Sequence, residues 1–362
     1  MSKSCEKNTY TVVLFEKEPE KIKRFLRFFP KAAKRNNDLR EEKHLLMGTH
    51  PLTPYFQIQP FFLYKNGEII GKAALFFEKT PSKHCFLGFF EMENDTKGAE
   101  VFFKKMEKFA QEKGVSSIVG PMNGCIWLGY RMKISHFFEK TYFGEPDNPP
   151  YYSLLWIENG YRESNVYTSN IYPVFEKNGY RNPRFEKRIQ SFVSQGYDFH
   201  VPKKKEWETV AGDIYELIMS LYASFPGFLA ISKEAFFKQY SALKMILNFS
   251  FCRMVYFDKK AVGFFIAVPD YGTLLNGSLT PWVLLKMLYL RRFSRKYVVL
   301  YMGVEPEHKG LGAAMAQILI ESLRKKKASA VSALIHEGKV TGGYAKDFSR
   351  EQRKYALYQK TL

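Results

Sequence analysis

At 362 residues, with 46% apolar and 17% aromatic side chains, the chain has material for two packed domains of roughly 150–200 residues and departs from the composition of disordered proteins. No apolar run reaches the roughly 18–20 residues that span a bilayer, the longest (Trp282 to Leu290) being interrupted by Lys286. The net charge of +19 is uneven, because residues 200–362 hold 25 basic against 13 acidic side chains; such a surface gathers anions without choosing among nucleotides, RNA and lipid headgroups.

The start of the chain, Met1-Ser-Lys-Ser-Cys-Glu-Lys-Asn, lacks the apolar core of a secretion signal, so the cytoplasm is the expected compartment. Cys5, Cys85, Cys125 and Cys252 are scattered with no CxxC pair, which argues against a disulfide framework or a zinc clip. The seven histidines form no close cluster, and no metal site is expected.

Residues 9–15 alternate like a strand, and residues 19–35 place Ile22, Phe25, Leu26 and Phe29 at helical spacing. Residues 57–64 and 68–77 read as strands joined by Lys65-Asn66-Gly67, whose Asn-Gly pair favours a tight hairpin. A strand over 85–92, a helix over 99–113 ending at Gly114 and a strand over 116–119 follow. The second half repeats this order with different residues: a helix over 207–225, a hairpin of 251–257 and 261–269 across Asp258-Lys259-Lys260, a strand over 297–304, a helix over 313–327, a strand over 329–335 and a last strand over 354–359. The expected fold is therefore α/β with mixed sheets, in two domains spanning 1–198 and 199–362. The join lies where Gln-Gly-Tyr-Asp and the run Lys203-Lys204-Lys205 interrupt the pattern.

One junction carries chemistry. The strand over 297–304 runs through Glu305-Pro306-Glu307-His308-Lys309-Gly310-Leu311-Gly312 into a helix opening Ala313-Ala314. A helix N-terminus has backbone N–H groups without intrahelical partners beside the positive end of the dipole, and glycine lets a phosphate approach that backbone. A Walker loop needs Lys-Ser/Thr after its last glycine, and a dinucleotide fingerprint needs a third glycine in a parallel βαβ unit; neither pattern is present.

The turn resembles the pyrophosphate-binding motif of the Gcn5-related N-acetyltransferase superfamily, in which Gln or Arg is followed by two residues, Gly, any residue, and Gly or Ala. The six positions here are Glu307, His308, Lys309, Gly310, Leu311 and Gly312, and Glu307 departs from the usual first residue. The hairpin ending Ala267-Val268-Pro269-Asp270-Tyr271, the strand into Val304-Glu305-Pro306 and the closing Tyr355-Ala-Leu-Tyr358 occur in superfamily order. The first half resembles the degenerate partner domain of tandem members. It has Asp95-Thr96-Lys97-Gly98-Ala99 where a glycine turn would stand, so the resemblance implies that this half binds no cofactor.

The resemblance implies that acetyl-CoA or another acyl-CoA is held by the backbone of His308, Lys309, Gly310, Leu311, Gly312 and Ala313. It further implies a thioester carbonyl polarised by N–H groups near Gly303 and Val304 and attacked by the amine of a small molecule or amino acid. Tyr344 falls about where the family places, on a helix after its fifth strand, the tyrosine that protonates the leaving thiolate; Glu305 is a candidate base. Tandem relatives have an asparagine after the fifth strand where this chain has Gly338, and His336 or Glu337 beside it are substitutes for acid–base work.

Two further stretches stand out. Residues 272–296 combine the helix-like Pro281-Trp-Val-Leu-Leu-Lys-Met-Leu-Tyr-Leu290 with Arg291, Arg292, Arg295 and Lys296, and no acidic residue occurs from Tyr271 to Val304; packing of this helix on its own sheet is the expectation, with a membrane surface or a fatty acyl chain as the alternative. In Phe143-Gly-Glu-Pro-Asp-Asn-Pro-Pro-Tyr-Tyr152, the start of a helix is the expectation, with Glu145 and Asp147 as candidates for meeting an amine. The competing readings of the whole chain are a Fem-like aminoacyl-tRNA-dependent transferase, which suits a basic surface, and a binding protein of the same fold without catalysis.

Overall fold

The computed structural model describes residues 8–32, 39–80 and 82–362. Two compact units emerge, the first from residues up to 137 with 146–165 and 355–362, and the second from 138–145 with 166–354. The boundary expected at 198/199 thus falls inside the second unit. Residues 166–198 give a strand and a helix to the second core, and the last eight residues return a strand to the first.

The first unit opens with β1 (Tyr10–Leu14), α1 (Pro19–Arg27) and α2 (Leu39–Met47). It continues with β2 (Phe56–Lys65), β3 (Glu68–Glu78), β4 (His84–Met92), α3 (Thr96–Glu112), β5 (Ser117–Gly120), the short β6 (Met132–Lys133) and α4 (Tyr151–Glu158). The first expected helix ends at Arg27, and residues 33–35 of that expectation lie outside the described residues. Strands β1 to β4 are antiparallel neighbours, and Asn66 (φ 51°) and Gly67 (φ 86°) turn the β2–β3 hairpin in the left-handed region that their residue types favour. The unforeseen α2 is tied down by Glu42, whose carboxylate meets Lys72 Nζ at 2.8 Å with both side chains buried.

The chain then forms β7 (Arg162–Tyr172), α5 (Pro183–Ser194), β8 (Asp198–His200), α6 (Trp207–Leu221), α7 (Lys233–Tyr240), α8 (Leu243–Ile246), β9 (Cys252–Phe257) and β10 (Lys260–Pro269). After these come α9 (Pro281–Phe293), β11 (Lys296–Val304), α10 (Leu311–Lys326), β12 (Ser329–His336) and β13 (Glu351–Thr361). The second-unit strands lie in the order β7-β12-β11-β10-β9-β8, antiparallel except for β11 and β12. Residues 355–361 of β13 pair with β5 and β6 in the first unit.

Each unit packs one long amphipathic helix on its sheet. In the first, Phe102, Phe103 and Met106 of α3 meet Trp156 of α4 and Tyr358 of β13; in the second, Ala314, Met315 and Leu319 of α10 meet Phe192 of α5. Cys85, Cys125 and Cys252 are buried free thiols. Among the described residues, no helix is long and apolar enough to cross a membrane, and no group of three or more His, Cys, Asp or Glu is placed to hold a metal.

Candidate active site

In both units two parallel strands start together and then part. In the first, β4 and β5 pair only from His84↔Ser117 to Phe86↔Val119. The gap beyond is filled by the chain itself. Asn123 Oδ1 accepts the Phe89 amide at 2.9 Å, the Met122 amide reaches the Leu87 carbonyl at 2.8 Å, and the Tyr152 hydroxyl donates to Glu91 at 2.6 Å. At the head of α3, Asp95 accepts the Gly98 amide at 2.8 Å and pairs with Lys65 at 2.7 Å. A carboxylate of the chain already stands where a phosphate would bind, and its charge opposes an incoming anion.

The second unit lacks those stoppers. Strands β11 and β12 pair only from Lys296↔Ser329 to Val299↔Ser332. On its other edge β11 stays with β10 through Val304↔Gly263, with a bulge opposite Ile266 and Ala267. The Glu305 amide donates to the Val262 carbonyl at 2.9 Å, which fixes the phase of that ladder. Antiparallel pairs alternate between bonded and non-bonded, so Gly303 and Tyr301 also exchange bonds with β10, while Val304 and Met302 direct their N–H groups to the edge that β12 has left. The pair of amides facing the gap is therefore Met302 and Val304; the Gly303 amide, expected there, is turned to β10.

The glycine turn follows directly. Gly310 caps α10 in the left-handed region at φ 93°, a conformation that leaves the backbone ahead of the helix turned outward. The His308 amide bonds to Glu305 O at 3.1 Å, Leu311 to His308 O at 3.1 Å, and Ala313 and Ala314 to Gly310 O at 3.1 and 3.4 Å. Among the described residues, the amides of Lys309, Gly310 and Gly312 have no partner in the chain. The six-residue cradle read from the sequence thus reduces to these three donors.

Two side chains close over the glycines. A Cβ on Gly310 would collide with the guanidinium of Arg188, and one on Gly312 with the hydroxyl of Tyr344. Arg188 comes from α5, whose many contacts with α10 hold it there, and sequence reasoning missed it. Tyr344 sits between two 3-10 turns, 340–343 and 346–348, and not on the α-helix that the resemblance implied. It is held by the Tyr172 hydroxyl, which donates to the Tyr344 carbonyl at 2.7 Å, and by an edge-on contact with Phe185 at 5.7 Å. Burial pushes the phenol's pKa up, and the neighbouring Arg188 charge opposes that shift only in part.

The other expected site residues have different surroundings. The Glu305 carboxylate is bound by Lys260 Nζ at 3.0 and 3.1 Å and lies 3.9 Å from His308, so its charge serves to hold the strand end. The His308 ring is in the wall, with Nδ1 2.6 Å from the Tyr197 hydroxyl and Phe257 alongside at 5.8 Å. The Lys309 side chain is exposed at the turn. His336 lies between the rings of Tyr167 and Phe225, Glu337 is exposed, and Gly338 takes φ 82°, in the left-handed region that glycine enters without strain. Glu145 is buried in an ion pair with Arg353 at 2.9 Å and does not wait for an amine, while Asn148 bonds the Lys133 backbone in front of α4.

Behind β11, an apolar pocket is lined by Trp207, Ile214 and Ile218 of α6, Phe236 and Tyr240 of α7, and Tyr301 of β11. Tyr301 precedes Met302, whose side chain packs with the α10 core, so the pocket and the glycine turn lie on opposite faces of this strand.

No family model matches the sequence, and no curated protein matches it. Solved structures do. A tandem GNAT protein from the clavulanic acid biosynthesis pathway, solved without acetyl-CoA, superposes with a TM-score of 0.51 over 98% of both chains at 10% identity. A GCN5-related glucosamine N-acetyltransferase region of a fungal multi-domain GH3 β-N-acetylglucosaminidase superposes with a TM-score of 0.54 at 12% identity, over 99% of this chain and 39% of that one. With a parting pair of parallel strands in each unit, and with a glycine turn in the second alone, the chain has the mixed α/β fold of a tandem GCN5-related N-acetyltransferase protein.

Proposed function

We propose that the second unit binds a coenzyme A thioester at the α10 turn and transfers its acyl group directly to an amine. The observation that carries this reading is the joining of two unsatisfied backbone surfaces on one strand-turn-helix segment: the Met302 and Val304 amides at the open edge, and the Lys309, Gly310 and Gly312 amides at the helix head. In this reading the turn holds the diphosphate, with Arg188 and Lys309 supplying the positive charge that Glu307 does not. The Met302 and Val304 amides polarise the thioester carbonyl. As the amine nitrogen bonds to that carbon and the C–S bond breaks, the Tyr344 hydroxyl gives its proton to sulfur, while the amine nitrogen sheds one proton to water and water returns one to the tyrosinate.

The acceptor enters from the other face, where the apolar pocket suits an amine with an apolar or aromatic portion. The first unit serves as scaffold, since Asp95 and Asn123 occupy the equivalent positions.

The test is thermal stability with coenzyme A, acetyl-CoA, a long-chain acyl-CoA and mixed tRNA, followed by thiol release from the stabilising thioester with a panel of amines. A ligand at about 100 times its dissociation constant stabilises by about 2.7 kcal/mol. Stabilisation by the thioesters and thiol release with an amine support the proposal. Stabilisation without thiol release from any amine leaves a binding protein, and a response to tRNA alone favours the aminoacyl-tRNA reading.

A further inference from the structure

Helix α9 turns its apolar side to solvent. Of its thirteen residues only Met287 is buried, while Trp282, Leu285, Tyr289 and Phe293 are exposed by 72%, 61%, 62% and 58%. Their spacing of three, four and four residues makes one continuous stripe, and Met287 lies on the opposite side of the helix. The expectation that this helix would pack its apolar face on its own sheet is thus reversed. Lys286 and Arg292, both exposed, flank the stripe on either side.

The surroundings are strongly basic, with Asp270 paired to Lys296 at 2.9 Å. Lys326 Nζ donates to the Arg292 carbonyl at 3.0 Å and the Ser329 amide to the Arg295 carbonyl at 2.8 Å, which brings the Lys325-Lys326-Lys327 end of α10 beside the end of α9. Burial and, after it, the Arg292 charge lower the Lys326 pKa. No acidic residue occurs from Tyr271 to Val304.

From the exposed stripe, its flanking cations and the converging basic helix ends, we infer that this face docks on an anionic lipid surface. Trp282, Leu285, Tyr289 and Phe293 enter the headgroup–acyl boundary, where indole and phenol rings are favoured, and Lys286, Arg292 and Arg295 reach the lipid phosphates. A second copy of the chain fits less well, because stripe-to-stripe packing sets these cations against one another with no carboxylate between them. The face also lies at the far end of α10 from the glycine turn, about 24 Å along a helix of 16 residues. Docking and coenzyme A binding are therefore separable.

The test is flotation of the full chain with vesicles of phosphatidylcholine alone or mixed with phosphatidylglycerol, read together with tryptophan emission. Trp127, Trp156 and Trp207 are 6%, 0% and 7% exposed, so a lipid-induced blue shift reports Trp282. The expected result is binding and a blue shift with the mixed vesicles, weakened by salt. Leu285→Ser should weaken binding about tenfold, and Lys286→Gln and Arg292→Gln about fivefold each, with stabilisation by coenzyme A unchanged in all three. No binding to either vesicle overturns the inference, as does equal binding to both. A blue shift that follows protein concentration without lipid, and is lost in Leu285→Ser, overturns it in favour of self-association.

Discussion

Arg188 and Tyr344 reach the glycine turn from segments more than 120 and 30 residues away in the sequence. Nothing local to either residue points at the turn. Arg188 reads as one of several cations on a surface helix, and only the packing of α5 on α10 assigns it. A charge-assisted contact to phosphate is worth about 1.5–3 kcal/mol, so Arg188→Ala should raise the dissociation constant for coenzyme A about tenfold to a hundredfold in a binding titration. Tyr344→Phe should leave that constant unchanged and lower kcat about a hundredfold or more in the thiol-release assay. Because its pKa is raised from 10.0, the phenol keeps its proton through neutral pH, and a rate loss due to its ionisation should set in only above pH 10. Glu305 shows the opposite lesson: position suggested a base, and Lys260 had already claimed its charge.

The hairpins, the strand-turn-helix junction and the long helices were legible because each repeats a local pattern, whether period two, period 3.6 or an Asn-Gly turn. Elements α2 and α5 were not, because long-range partners decide them. Helix α2 contributes only Glu42, Leu45 and Leu46 to the interior, and its buried carboxylate is matched by Lys72, whose ammonium also lies over Phe25 at 4.8 Å and Phe29 at 5.1 Å. Removing one partner of such a pair strands the other charge. Glu42→Ala should cost about 3–5 kcal/mol in denaturant unfolding, and adding Lys72→Met should recover much of it. Helix α9 was legible as a helix, but its spacing could not show which side faces the protein.

For the molecule as a whole, two α/β units in tandem followed from the repeated element order, whereas the return of the last strand to the first unit did not. Residues 355–362 bring buried Tyr355, Ala356 and Tyr358 to that unit, so a chain ending at Lys354 should lose protection from hydrogen exchange in β5 and α3. The acid side of the stability profile has an identified contributor in the same unit. His50 is buried, with its Nδ1 accepting the Leu52 amide at 3.1 Å, and burial lowers its pKa from 6.5 to about 4. The unfolded chain therefore binds the proton first as pH falls, so this contribution is full above pH 6.5 and is lost progressively toward pH 4. Melting temperatures of wild type and His50→Gln across that range check the sign: the variant should show the shallower decline.

The most direct measurement is a calorimetric titration of coenzyme A into the wild-type chain and into Gly310→Val. A single saturable site in the wild type, abolished where a branched side chain meets Arg188 over the turn while the circular dichroism spectrum is retained, is the predicted result. Equal binding by both chains would place the ligand elsewhere, and no binding by the wild type would contradict the proposed donor.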